Sequence, residues 1–189
     1  MKNIITLGLV SLLGAGALYA ATFNVDTSHS NVGFKVKHLM IANVTGKFDT
    51  FSGTFNYDDK TNTITSLQGK ITVNSINTAN KKRDKHLKSA DFFDAKNHPD
   101  LTFVLDTIKD DKAYGTLTIR GTSKKVALDF ELNGTVIDPW GNQRVGLELT
   151  GKINRKDYGL HWNKALEAGG VVVGEKVKLI IELEGKKAK

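Results

Sequence analysis

Cysteine is absent from this 189-residue chain. Disulfides are therefore excluded, and so is thiolate chemistry, whether nucleophilic or metal-ligating. An export anchor built on a lipid-modified cysteine is excluded as well. Proline is nearly absent, occurring only at Pro99 and Pro139. No apolar run is long enough for a comfortable membrane span of ~20 residues. Ile4 to Ala17 is the longest run, and it stops short. The Gly-x-Ser-x-Gly elbow of one large hydrolase class is missing. His29, His38, His86, His98 and His161 form no His-x-His or His-x-x-x-His pair. The chain is therefore read as holding no metal and no cofactor.

What is present begins with a leader. Lys2 supplies a positive start, an apolar run follows, and Leu18-Tyr19-Ala20 ends in the small residue that a signal peptidase needs. Residues 1–20 read as a cleaved signal peptide, and residues 21–189 as one exported domain, long enough to bury a core without staples. In a Gram-negative source its compartment is the periplasm. The formal charge of +7 is concentrated locally. Lys81, Lys82, Arg83, Lys85 and Lys88 form one group, and Lys186, Lys187 and Lys189 another. Such charge reads as a solvated surface, or as attraction to an anionic head group or transient contact with a membrane surface. No recognition motif accompanies it, so nucleic acid is not the expected partner.

Most of the chain alternates apolar with polar residues, the signature of half-buried antiparallel strands. Thr22 to Leu39, with Val32, Phe34 and Val36, reads as one strand. Val44 to Thr50 reads as a turn region and Phe51 to Tyr57 as a short strand. Thr63 to Ile76 reads as a long strand carrying Ile71 and Val73. Leu101, Phe103 and Leu105 alternate, as do Leu117 and Ile119, then Val126, Leu128 and Phe130. Two further strands carry Leu147, Leu149 and Ile153, and Val177 to Leu183. About eight such strands close into a barrel that holds one small ligand, or stack as a filled sandwich. Composition does not separate the two.

One stretch breaks the alternation. Ala79 to Ser89 is rich in Lys, Ala and Leu and predicts a helix capped by Thr78. Asp91-Phe92-Phe93-Asp94 then places two aromatics side by side, where they cannot share one face of a regular element. A tight turn with at least one ring entering the barrel is expected, so helix and aromatic pair form a lid.

The same stretch carries a resemblance. Ser75-Ile76-Asn77-Thr78, Arg83 to Asp94, Pro99 and Phe103 resemble the signature of the YceI-like family. Asp26-Ser28-His29-Ser30, Gly46-Phe48-Phe51-Gly53, Gly115 to Thr122 with Lys124, Asn154-Arg155 with Tyr158-Gly159, and Val173-Gly174 match too. His98 stands where an aromatic is usual. The resemblance implies an all-β, extended eight-stranded lipocalin-like barrel. It also implies periplasmic export, a homodimer, and a long-chain isoprenoid or fatty-acid-like amphiphile held inside. It supplies no catalytic residue.

The candidate ligand-binding residues follow from the inward positions and the lid. They are Phe34, Val36, Ile71, Val73, Phe103, Leu117, Ile119, Leu128 and Phe130 from the strands, with Phe92 and Phe93 from the lid. Trp162, with Tyr158, is expected at the mouth. Arg83 and His86 either pin the lid to the barrel rim or meet a polar or phosphorylated head group. Two other functions stay open: an enzyme acting on a lipid ester or phosphate, and a basic protein that docks on anionic envelope polymers.

Overall fold

The alternating segments become strands in the computed structural model, which describes residues 20–167 and 169–189. The leader predicted over residues 1–20 lies outside the described residues except for Ala20. In chain order the strands are β1 (Ala21–Val25), β2 (Asn31–His38), β3 (Ala42–Phe48), β4 (Phe51–Asp58), β5 (Thr63–Thr72) and β6 (Ile76–Asn77). After helix α1 (Lys81–Lys88) come β7 (Asp100–Lys109), β8 (Lys112–Ile119), β9 (Thr122–Ile137), β10 (Gln143–Asn154) and β11 (Val173–Lys187). Neighbours pair antiparallel in the order β1-β4-β5-β7-β8-β9-β10-β11, and a β1–β11 pairing closes this ring of eight. The fold is thus the barrel and not the sandwich.

β11 is longer than the strand that closes the ring. Gly185 to Lys187 pair with β1, while Val173 to Glu182 pair with β2. The hairpin of β2 and β3 therefore prolongs the barrel at the end where β11 begins, and β6 adds to its edge. Three expectations change here. Thr22 to Leu39 is not one strand, because the chain bends between Val25 and Asn31. Val44 to Thr50 is mostly strand, as part of β3. Its inward Gly46 and polar neighbours hid the period. The strand from Thr63 stops at Thr72, where a single helical turn, Val73–Ser75, leads into β6.

The first bend is held by charge. Arg144 on β10 donates to Asp26 in the bend at 2.5 Å, to Glu184 on β11 at 2.8 Å and to Asp138 at 2.9 Å. Among the described residues, Asp26, His29 and Glu184 lie close enough together to hold a metal ion, but the Arg144 guanidinium supplies their cation. Its hydrogen bond to Asp26, helped by His29, holds that carboxyl down at about 2.

The interior is filled by rings laid over glycines. Phe55 covers Gly185, where a Cβ would fall 2.3 Å from the ring. Phe103 covers Gly115, with 2.5 Å left, and Phe34 covers Gly46, with 2.4 Å. Phe23 stacks on Phe55 at 5.4 Å, and Tyr57 meets Phe23 edge-on at 6.0 Å. Val145, Leu147 and Leu149 carry the buried face of β10.

Two outcomes follow from this packing. A methyl at Gly115 would also sit 2.6 Å from the Val104 carbonyl oxygen, which is backbone and cannot swing away. Gly115→Ala should cost about 1–3 kcal/mol, read as a lowered melting temperature with the strand spectrum retained. Asp26 has a folded pKa below its unfolded value. Its contribution is full above the ordinary carboxylate range and disappears as pH falls through about 2. The melting-temperature gap between wild type and Asp26→Asn should be wide at neutral pH and close toward pH ~2. A gap independent of pH would exclude this ion pair as the source.

Candidate ligand-binding site

α1 begins later than the sequence suggests. Ala79 has φ 58°, outside the helical range. Asn80 is the cap, its side chain accepting from the Arg83 N–H at 3.0 Å. Thr78 has a different task. Its N–H and hydroxyl donate to Asp84 at 2.9 and 2.5 Å, and Arg83 donates to its hydroxyl at 2.7 Å and carbonyl at 2.8 Å. This half-buried network ties the helix to the end of β6. On the far side Arg120 donates to the carbonyls of Ala90 and Gly159 at 2.9 and 2.8 Å. His98 lays its ring against Gly121, which accounts for a ring-shaped residue before Pro99.

The two phenylalanines sit in tight turns after the helix. Phe92 N–H donates to Ser89 and Phe93 N–H to Leu87. Phe92 is buried, and its ring joins His86 at 5.1 Å and Trp162 at 5.3 Å. Phe93 meets Phe48 at 6.1 Å, and Phe48 meets Phe34 at 5.8 Å. The lid thus inserts aromatic rings in two directions.

Three cavities lie in sequence beneath and beside it. A mouth of about 410 Å³ is bounded by Val36, Lys37, Lys82, Arg83, His86 and Trp162, among others. Among the described residues no carboxylate lines it. Phe34, Val36, Leu87, Phe92 and Val173 are shared with an inner space of about 110 Å³ under the lid. That space shares Phe34, Phe48, Leu101, Ile119 and Leu179 with a central space of about 100 Å³. Ser52 and Gln68 are the polar side chains at the central space.

Most of the candidate residues meet along this path. Phe34, Ile71, Phe103, Leu117, Ile119 and Leu128 line the central space. Phe92 and Phe93 line the inner one, and Val36, Arg83, His86 and Trp162 the mouth. Three positions lie elsewhere. Val73 is fully buried in the turn after β5, donating its N–H to Pro99. Phe130 lines a separate polar groove with Ile64, Leu105 and Ile108, because the β5–β7 pairing ends at Gln68 and Val104 and the strands diverge beyond them. Tyr158 is buried rather than at the mouth, and burial pushes its phenol up to about 12.

Sequence reasoning passed over several walls of the path. Phe48 was hidden in a segment read as a turn. Leu179 and Ile181 showed the right alternation but were not counted as lining. Arg155 had no role assigned, yet it lines the inner space while 4% exposed. Its guanidinium donates to the carbonyls of Gly174 at 2.9 Å, Val173 at 3.3 Å and Leu160. Burial lowers its pKa, opposed by the charge of Glu175. Arg155 thereby holds the irregular segment that carries Trp162 against the start of β11.

A family model described as the YceI-like domain matches residues 23–185. The chain belongs to this family. A UPF0312 protein of Staphylococcus epidermidis is 42% identical over 159 residues, covering 82% of this chain and 92% of the relative. A crystal structure of the Campylobacter jejuni YceI protein is 35% identical, with a TM-score of 0.67, over 87% of this chain and 96% of that one. Burkholderia cenocepacia BcnA, at 22% identity and TM-score 0.73 over 85% and 98% of the two chains, shares the fold. So does a polyisoprenoid binding domain from Saccharophagus degradans, at 17% identity and TM-score 0.68 over 89% and 99%.

In this YceI-like barrel, lysine in place of Arg155 would reach fewer of the three carbonyls. Each carbonyl left without a donor costs about 1–3 kcal/mol. Arg155→Lys should lower the melting temperature and speed hydrogen exchange within residues 160–174, with the β7–β9 amides unchanged.

Proposed function

We propose that this protein binds a long-chain isoprenoid or fatty-acid-like amphiphile, tail in the barrel and head at the mouth, without turning it over. The proposal includes export to the periplasm with removal of residues 1–20, and a role in transport, storage or sensing. The observation that carries it is the path of shared walls from a cationic mouth to an apolar centre. The polyisoprenoid binding described for the Saccharophagus degradans domain on the same fold agrees with it. A homodimer, implied by the family resemblance, belongs to the proposal. Exposed Val136, Ile137 and Trp140 offer it apolar surface on the β9–β10 hairpin, beside the C-terminal end of β11.

The energetics favour the tail as the main source of affinity. Each buried methylene contributes roughly 0.8 kcal/mol, so a sixteen-carbon tail gains on the order of 10 kcal/mol before association costs of about 4–15 kcal/mol. A charge-assisted head contact adds about 1.5–3 kcal/mol. The two inner spaces are each smaller than the ~300–1,000 Å³ usual for ligand sites. A long tail therefore enters only as the Phe34, Phe48 and Phe93 rings turn aside, and the lid gates the site. His86 has Asp91 at 3.3 Å, but its other close neighbours are rings, and the Ser89 hydroxyl donates to the His86 carbonyl. That arrangement suits a head-group contact better than hydrolysis.

Mass spectrometry of organic extracts from the purified protein, against an identically treated control, should find a co-purifying long-chain amphiphile. Phe92→Leu and Phe93→Leu keep the site apolar. At least one should weaken binding several-fold at a nearly unchanged melting temperature. Arg83→Gln should weaken a phosphorylated amphiphile more than a neutral one. Normal binding by both leucine variants would place the ligand away from the lid.

A further inference from the structure

The β2–β3 hairpin turns at Leu39 and Met40, which both take positive φ, 50° and 62°. The β-turn from His38 to Ile41, closed by the Ile41 N–H on the His38 carbonyl at 3.2 Å, thus has both central residues at positive φ, a form dominated by Gly, Asn and Asp. Elsewhere among the described residues such angles fall mostly on Gly, Asn and Asp, as at Gly121, Asn62, Asp94, Asp110 and Asp111. Leu and Met suit the turn poorly, and they are also turned toward water. Leu39 is 37% exposed, Met40 55% and the adjoining Ile41 84%. Neither the backbone nor the core accounts for three apolar side chains at this tip.

The tip's surroundings indicate what it meets. Leu39 N–H donates to the Val172 carbonyl at 2.9 Å, joining the tip to the segment that borders the mouth. Lys37, Lys82 and Arg83 line that mouth. Among the described residues, Lys37 and Lys82 form no ion pair. On the neighbouring segment Lys164 and Glu167 offset each other in charge. No helix among the described residues is long and apolar enough to cross a membrane.

We propose that Leu39, Met40 and Ile41 are a docking tip that inserts into the surface of an anionic bilayer and presents the mouth to it. This rests on the tail-binding reading and adds where the amphiphile is exchanged. A bilayer is negative at its face and apolar just beneath, the complement of an apolar tip backed by cations. A second copy of this chain would bring like charges to the same place. With the mouth against the bilayer, a tail passes from lipid to barrel without crossing water.

The test uses residues 21–189, which hold the closed barrel, and a variant combining Leu39→Asn, Met40→Gly and Ile41→Ser. The first two changes suit the turn, so the melting temperature should not fall. Wild type should sediment with vesicles of phosphatidylethanolamine and phosphatidylglycerol, and about fivefold less with phosphatidylcholine alone. The variant should lose about fivefold or more of its binding to the anionic vesicles. Its affinity for a fluorescent fatty acid in solution should be unchanged, since the tip does not line the path. Equal vesicle binding by the two proteins, no preference for anionic vesicles, or no vesicle binding at all overturns the proposal. So does a wild-type dimer in analytical ultracentrifugation that the variant loses, if neither binds vesicles. If neither protein takes up the fatty acid while vesicle binding remains tip-dependent, docking stands and the tail-binding reading falls.

Discussion

An eight-stranded barrel is only about as wide as the side chains that fill it, and this chain meets that limit by setting rings against glycines. Phe55 over Gly185 and Phe103 over Gly115 are fits in which a single methyl has no room. These pairs decide where the barrel is solid and where it is not. Around Phe23, Phe55 and Tyr57 the interior is closed. Toward the lid Phe34 and Phe93 are half-buried, and the remaining space runs together into one path. The site is thus what the packing leaves over, and its inner part is apolar because most of its walls are inner faces of strands or the underside of the lid.

Three arginines anchor this arrangement, each with a different set of acceptors. Arg144 is held by three carboxylates and fixes the bend between β1 and β2. Arg155 has backbone carbonyls instead and holds the segment beside the mouth. Arg83 spends part of its guanidinium on Thr78 and so belongs to the lid's attachment as well as to the mouth. The bonds to Thr78 are the pinning role weighed for Arg83 from the sequence, and the head-group role proposed for it would draw on the same donors.

How much of this was legible followed from how local each signal is. Strand alternation needs only neighbours two apart, so Phe103, Leu117, Ile119 and Leu128 were read as inward from the sequence, and they line the path. The aromatic pair after the helix was legible for the same reason. Val73 and Phe130 fit the same period, yet a turn diverts one and the divergence of β5 from β7 removes the other. No local pattern reports either event. The helix cap was misplaced because Thr78 and Asn80 are both accepted caps by type, and the backbone angle at Ala79, which starts the helix later, has no local signature. Arg155 was invisible as a wall, since its acceptors are backbone atoms up to 19 residues away.

The seam of the barrel has a consequence in time. The ring closes where Phe23, Asn24 and Val25 meet Lys187, Lys186 and Gly185, so the first strand of the described chain waits for the last. Contacts so far apart in sequence form slowly. Until the final strand emerges from the ribosome there is no closed barrel, only open sheet with an unpaired edge. A chain in that condition holds no finished fold, and the export proposed for it would draw on that interval.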